Sequence, residues 1–299
     1  MKRKLVKQGG TALTVTLPFK WAKQRNLSAG DEVEMEERGQ ELVIRGHGEP
    51  EQQRISIDVS SLNERTIRWL LSGLHKGGYD EIEILFSSRH ALPIIQELVK
   101  DLLLGFAIME QTDKRCVLRM LAKDSSEEFD ATLRRAFLVT LSMADTVLDL
   151  LNSKKQAELK DIIALERTNN QLTNFCERIL NKNLYEGNKG THFLYVIAWN
   201  LEKIADDYRR LCEHLSGVKD VDRDVAAMLE QVNRQFKSYY ELFYKFDANL
   251  LAELSEKRAG LMERLTKGRS DTVAMSCLSS IVLRCEDFST SMFMLARRG

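Results

Sequence analysis

The chain has 299 residues, more than one hydrophobic core organises well, so two or three domains are expected and a single small binding module is excluded. Its 44 Lys and Arg balance 44 Asp and Glu, which removes any global pull toward nucleic acid or acidic membrane; polyanion affinity has to be local. With 43% hydrophobic and 29% charged residues and only 3 Pro, the composition is that of a helix-rich globular protein, neither disordered nor fibrous.

Five cysteines, Cys116, Cys176, Cys212, Cys277 and Cys285, are scattered without a C-x-x-C pair. Neither a disulfide framework nor a zinc knuckle is expected, and a reducing cytoplasmic setting fits. The basic start runs into an alternating segment rather than an apolar one. No later apolar run approaches the roughly 18 residues that span a bilayer.

Lys4–Gln8 and Thr11–Leu17 alternate with the period of half-buried strands, with Gly9-Gly10 as the turn between them. Pro18 suits the first position of a short helix, FKWAKQRNL, that stops at Ser28-Ala29-Gly30-Asp31. Glu32–Glu37 and Glu41–Arg45 make a second strand pair around Arg38-Gly39-Gln40. Four short strands and one short helix bury too little to fold alone, so a partner chain is expected. Gly48–Gln53 reads as a linker.

From Arg54 to Ala122 the pattern is α/β. Ile55, Ile57 and Val59 alternate, Asn63 caps a helix to His75 closed by Gly77-Gly78, and Ile82, Ile84 and Phe86 alternate again. A second helix, Leu92–Leu104, precedes a hairpin of Phe106–Gln111 and Cys116–Leu121 about Asp113-Lys114. Neither G-x-G-x-x-G nor G-x-x-x-x-G-K-[ST] occurs, so this is a connector rather than a nucleotide site.

Beyond Ser125 there is no proline. Ser125 and Glu128 form a capping box, and Phe129, Leu133, Phe137, Leu141, Ala144, Leu148 and Leu151 recur at helical spacing. Five further helical segments run from Gln156 to Lys182, His192 to Leu215, Asp222 to Phe246, Asn249 to Thr266 and Asp271 to Arg297, parted by GNKG, SGVKD and KGRSD. Six helices in two consecutive sets of three imply an all-α bundle. Trp69, Trp199, Phe175, Phe236 and Phe288 lie at core spacing and are expected to fill it.

From Met1 to Leu27 the chain carries Lys2, Arg3, Lys4, Lys7, Lys20, Lys23 and Arg25 and no acid, while Asp31–Glu37 supplies five acids. Such a cluster suits phosphate contact, because Lys and Arg displace the counterions condensed on DNA. On charge alone it serves equally well as a solvated dimerisation arm.

The strings Lys4-Leu5-Val6-Lys7-Gln8-Gly9-Gly10-Thr11, Thr14-Val15-Thr16-Leu17-Pro18 and Asn26-Leu27-Ser28-Ala29-Gly30-Asp31-Glu32-Val33 resemble the SpoVT/AbrB swapped-hairpin family. The resemblance implies two chains paired into an interleaved barrel whose basic residues lie on DNA. Lys20 and Lys23 match basic positions after the proline, whereas an arginine common after the glycine turn is not matched.

Trp199-Asn200-Leu201-Glu202-Lys203-Ile204-Ala205-Asp206-Asp207-Tyr208 resembles the signature of PhoU-type phosphate-uptake regulators. Asp161-Ile162-Ile163-Ala164-Leu165-Glu166 and Leu283-Arg284-Cys285-Glu286-Asp287-Phe288 extend the match. The whole is similar to the archaeal arrangement of an AbrB-like domain fused to PhoU repeats. It implies a multidomain α+β chain: a swapped-hairpin DNA-binding and dimerisation domain over 1–47, an α/β connector over 54–122, and a pair of three-helix bundles over 125–299.

PhoU-type proteins hold metal clusters on acids spaced i, i+4, and Glu166, Glu202 and Asp206 are the candidates that the resemblance supplies. Glu202 and Asp206 share a helix face, where they either hold a cation or Asp206 pairs with Arg209 or Arg210. Asn170 stands where the family has an acid, and Leu283 where it has a glutamate, so at most a weakly bound divalent or iron ion is expected. Asp145 and Asp149 read as charged surface.

No catalytic constellation is present: no H-E-x-x-H, no G-x-S-x-G and no cysteine nucleophile signature. The expectation is a non-enzymatic, dimeric or higher homo-oligomeric, DNA-binding transcription regulator of phosphate uptake. The alternative is an adaptor that acts on a phosphate ABC transporter or sensor kinase and uses its first domain only to dimerise.

Overall fold

Strand alternation at the N-terminus builds two separate hairpins. In the computed structural model, which describes residues 1–38, 41–46, 52–122, 125–182, 185, 190–267 and 271–297, β1 (Val6–Gln8) pairs antiparallel with β2 (Ala12–Thr14). Gly9 turns the chain with φ +68°, a value that L side chains rarely adopt. The second strand stops at Thr14, short of the expected Leu17, since nothing within the unit packs on its exposed side chains. Pro18 sits one position earlier than expected, at the N-cap of α1 (Phe19–Gln24), where its extended ψ of 124° starts the helix. β3 (Val33–Arg38) and β4 (Glu41–Gly46) pair antiparallel; Gly39 and Gln40 of their expected turn, and residues 48–51 of the linker, lie outside the described residues.

The chain divides into two units, Met1–Gln52 and Gln53–Gly299. The second opens with a four-stranded mixed sheet, β5 (Arg54–Asp58), β6 (Glu81–Leu85), β7 (Phe106–Gln111) and β8 (Arg115–Met120), in the order β5-β6-β8-β7. β5 and β6 are parallel and joined through α2 (Glu64–Lys76), whose N-cap Asn63 accepts from the Thr66 amide at 2.9 Å. α3 (Ala91–Asp101) ends earlier than expected, because Leu102 leaves helical geometry and Leu103 turns inward, fully buried.

Alternation decides the two faces of this sheet. Ile82, Ile84, Cys116 and Leu118 join Ile67 and Leu71 of α2 and Ile95 and Leu98 of α3 in one hydrophobic cluster. On the other face Val117 is also buried, while Arg115 pairs across the strands with Glu83 at 2.5 Å and Arg119 with Glu81 at 2.7 Å.

The remainder is helical: α4 (Ser126–Asn152), α5 (Ile163–Asn181), α6 (Thr191–Leu215), α7 (Arg223–Tyr244), α8 (Ala248–Lys267) and α9 (Thr272–Ala296). Ser125 caps α4, accepting from the Glu128 amide at 3.3 Å. The expected helix Gln156–Lys182 is broken: Gln156–Ile162 is a tighter 3-10 turn, and α-helix begins at Ile163. Of the three breaks, residues 187–189 of GNKG and 268–270 of KGRSD fall outside the described residues.

α4, α5 and α6 pack together, as do α7, α8 and α9, and the sets meet through α6 with α9 and α4 with α7. The Tyr208 hydroxyl of α6 donates to Asn233 Oδ1 of α7 at 2.7 Å, and Asn233 Nδ2 donates to the Ala144 carbonyl of α4 at 2.7 Å. These buried polar atoms are spent on one another, which fixes the helix register at the junction. Phe175, Phe236 and Phe288 are buried as expected. Trp69 and Trp199 are not: they are 63% and 41% exposed, because each carries cations on its ring rather than apolar neighbours. Arg65 lies 4.6 Å from the Trp69 ring centroid, and Lys203 and Lys76 lie 4.8 and 5.3 Å from that of Trp199.

Candidate nucleic-acid interface and the charged seam of the helical unit

The seven basic residues of the first unit occupy the leader before β1 (Lys2, Arg3, Lys4), β1 itself (Lys7), α1 (Lys20, Lys23) and the C-cap of α1 (Arg25). All seven are exposed. The Arg25 guanidinium lies over the Trp21 ring, 5.0 Å from its centroid, which holds that one cation in place. No acid lies within Met1–Leu27, so local neutralisation comes only from Asp31 onward.

The same unit has no core of its own. Leu5, Val6, Leu13, Val15, Phe19, Met35 and Leu42 are exposed, and none of its described side chains is buried. Leu5, Leu13 and Met35 each leave more than 60% of their surface open. Apolar surface on this scale, in a segment this short, is stabilised only when another surface covers it.

In the second unit, α5 and α6 bring charges together along a seam. Glu166, which is buried, accepts from Asn170 Nδ2 at 2.7 Å and faces Arg209 at 3.6 Å. Asp206 lies within hydrogen-bonding reach of Glu166, 3.4 Å from Lys203 and 3.9 Å from Arg209. Burial pushes the Glu166 carboxyl up to about 7; Arg209 opposes that rise, and Asp206 adds to it. Glu202 does not join this pair. It is tied to Lys203 at 2.7 Å and faces Glu177, which is itself paired with Lys76 at 3.0 Å and accepts from the Tyr195 hydroxyl at 3.2 Å.

The three acids singled out as metal ligands are therefore interleaved with Lys203 and Arg209. Among the described residues no group of three or more His, Cys, Asp or Glu is arranged to hold a metal ion. On α8 and α9, Arg258 pairs with Glu286, Lys257 pairs with Glu253 at 3.3 Å, and Leu283 is exposed. Asp145 and Asp149 are exposed, as expected.

Sequence reasoning passed over Lys203, Glu177 and Arg178, whereas Arg209 was one of the two partners it offered Asp206, and it lies 3.9 Å from that carboxylate. Lys203 and Arg209 flank Asp206 at i−3 and i+3, a spacing visible in the string. Arg178 carried no such signal: it is fully buried in α5 and reaches across to the sheet layer, donating to the His75 and Tyr79 carbonyls at 3.1 and 2.6 Å.

Residues 6–56 match the family model described as antidote-toxin recognition MazE, bacterial antitoxin. No curated protein and no solved structure matches the chain. Among the described residues no helix is long and apolar enough to cross a membrane. The chain thus carries an N-terminal MazE/AbrB-like domain built of small β-hairpins, followed by a mostly helical region.

Proposed function

We propose that the protein is a DNA-binding transcription regulator whose first unit meets DNA as a dimer and whose helical unit conveys a signal to it. The observation that carries this reading is the exposed set Lys2, Arg3, Lys4, Lys7, Lys20, Lys23 and Arg25, the last four within the MazE/AbrB-like match and the first three just before it, with no acid up to Leu27. The uncovered Leu5, Val6 and Leu13 support dimerisation, since a second copy offers the same surface in return.

We assign phosphate uptake as the regulated process. The support is the resemblance of the Glu202, Glu166 and Asp287 strings to PhoU-type regulators, together with two sets of three helices in the matching order. The reading has no resident metal centre and no catalysis. A multinuclear centre does not fit the α5–α6 seam, where Lys203 and Arg209 already neutralise the acids and Asn170 supplies an amide in place of a charge.

The test is recovery of genomic fragments bound by the purified full chain. Enrichment of promoters of phosphate transporters is the expected result. Fragments bound without preference refute promoter recognition, and enrichment at unrelated promoters refutes the assigned process alone. The adaptor reading, with the first unit used only to dimerise, is favoured by the exposed apolar residues if the dimer forms and no DNA is retained.

A further inference from the structure

Basic side chains converge a second time, away from the first unit. A cleft of about 250 Å³ between α6 and α9 is lined by Lys203, Asp206, Asp207, Arg209, Arg210 and Arg284. Four cations face two acids there, and the acids are engaged. Asp207, buried in the cleft floor, accepts from Ser280 Oγ at 2.5 Å and pairs with Arg210; Asp206 is shared by Lys203 and Arg209. Lys203 and Arg209 are further drawn to Glu202, Glu166 and Glu213, so they add little free charge.

Arg284 is different. Its Nε is closed off from solvent and has no hydrogen-bond acceptor, and no carboxylate pairs with it among the described residues. A guanidinium donor withdrawn from water without an acceptor is costly, and buried donors are almost always satisfied by protein, water or an ion. Arg210, with 56% of its side chain exposed, shares the Asp207 carboxylate with a serine and has donors left over. Arg210 of α6 and Arg284 of α9 line the same cleft, and each guanidinium is a planar fork of donors of the kind that matches an oxyanion.

We propose that this cleft binds a small, multiply charged oxyanion of the phosphate class, held chiefly by Arg284 and Arg210. Its volume falls below the roughly 300–1,000 Å³ that encloses drug-sized ligands, so the free oxyanion fits and a nucleotide does not. Four cations against two acids leave the lining net positive, so a dianion gains more there than a monoanion of similar size. The site rests on these side chains alone and stands whether or not the first unit binds DNA.

The experiment is calorimetric titration of the full chain with inorganic phosphate in chloride buffer, with sulfate, acetate and glycerol phosphate in parallel. Saturable binding of one phosphate per chain is expected, with acetate failing to compete. Arg284→Gln should weaken binding about tenfold or more at an unchanged melting temperature, as expected when a charge-assisted hydrogen bond is removed. Arg210→Gln is the second variant, should the first fold poorly, and should weaken binding likewise. Absence of binding at millimolar phosphate, full affinity in both variants, or binding of glycerol phosphate alone would overturn the site.

Discussion

The Arg178 guanidinium, shut off from solvent in α5, donates to the Asp80 carboxylate at 2.5 Å, across a sequence separation of 98 residues. Lys182 reaches the same carboxylate at 2.6 Å, and the Gln53 amide donates to its other oxygen at 3.0 Å. Burial pushes the Asp80 carboxyl up, but Lys182, the Gln53 amide and Arg178 outweigh it and hold it below its ordinary value. Around this node Asn181 donates to the Lys76 carbonyl and Gln171 to the Lys100 carbonyl, so the sheet layer is fastened to α5 by polar contacts. Gly78 allows the approach: its φ is +90°, and a Cβ there would meet Lys182 Cγ at 2.5 Å.

Arg178→Met should therefore cost about 3 kcal/mol or more, since two carbonyls and a carboxylate lose a buried donor. In a unit of this size that lowers the melting temperature by roughly 6 °C or more, and Arg178→Lys recovers only part, lacking the fork. Scanning calorimetry of the full chain checks this. A loss below about 1 kcal/mol would show that the node contributes little.

Glu166 sets a pH dependence of opposite sign to Asp80. Its carboxyl is raised from 4.5 to about 7 in the folded chain, so between those values the folded state binds more protons than the unfolded one. Stability accordingly falls as pH rises through that window, whereas the Asp80 contribution is lost only as pH falls below the usual carboxylate range. Melting curves from pH 5 to 8 on the chain and on Glu166→Gln should show the flatter profile in the variant. An identical slope in both would assign the dependence elsewhere.

For DNA, affinity should fall steeply with salt if the exposed basic residues meet phosphates. Replacing Lys20 and Lys23 by Ala should flatten the slope of log affinity against log salt by about one unit for each phosphate that the side chains no longer reach. Fluorescence anisotropy across a salt series measures it. An unchanged slope, with the dimer intact, removes α1 from the interface.

Dimerisation should fail when the uncovered apolar face is made polar. Leu13, 63% exposed in the single chain, is predicted to be covered in the dimer, so Leu13→Asp should halve the mass seen by light scattering at micromolar concentration. A wild-type chain that scatters as a monomer defeats the reading of the first unit.

Elements with a local cause were legible in the string. Ser125 and Asn63 cap the helices predicted to follow them, because a capping oxygen acts three residues away on its own backbone. The alternation of Ile82 and Ile84, and the 3.6-residue recurrence from Phe129 to Leu151, likewise report which face is apolar. The acid-free basic run of the first unit is a property of the string alone.

What periodicity leaves open is the surface that each face meets. Trp199 has core spacing, yet two lysines lie against its ring, Lys203 from its own helix and Lys76 from α2, far earlier in the chain, so it remains half exposed. Glu202 and Asp206 share a helix face, but Lys203 between them and Arg209 beyond it decide that the pair is neutralised. Arg178 and Arg284 look like ordinary helical arginines in the string. Only the packing of α5 on the sheet layer buries the first among acceptors, and only that of α9 on α6 leaves the Nε of the second without one. Electrostatic partners are chosen by proximity in space, and a linear pattern records proximity only within a turn of helix or a pair of strands.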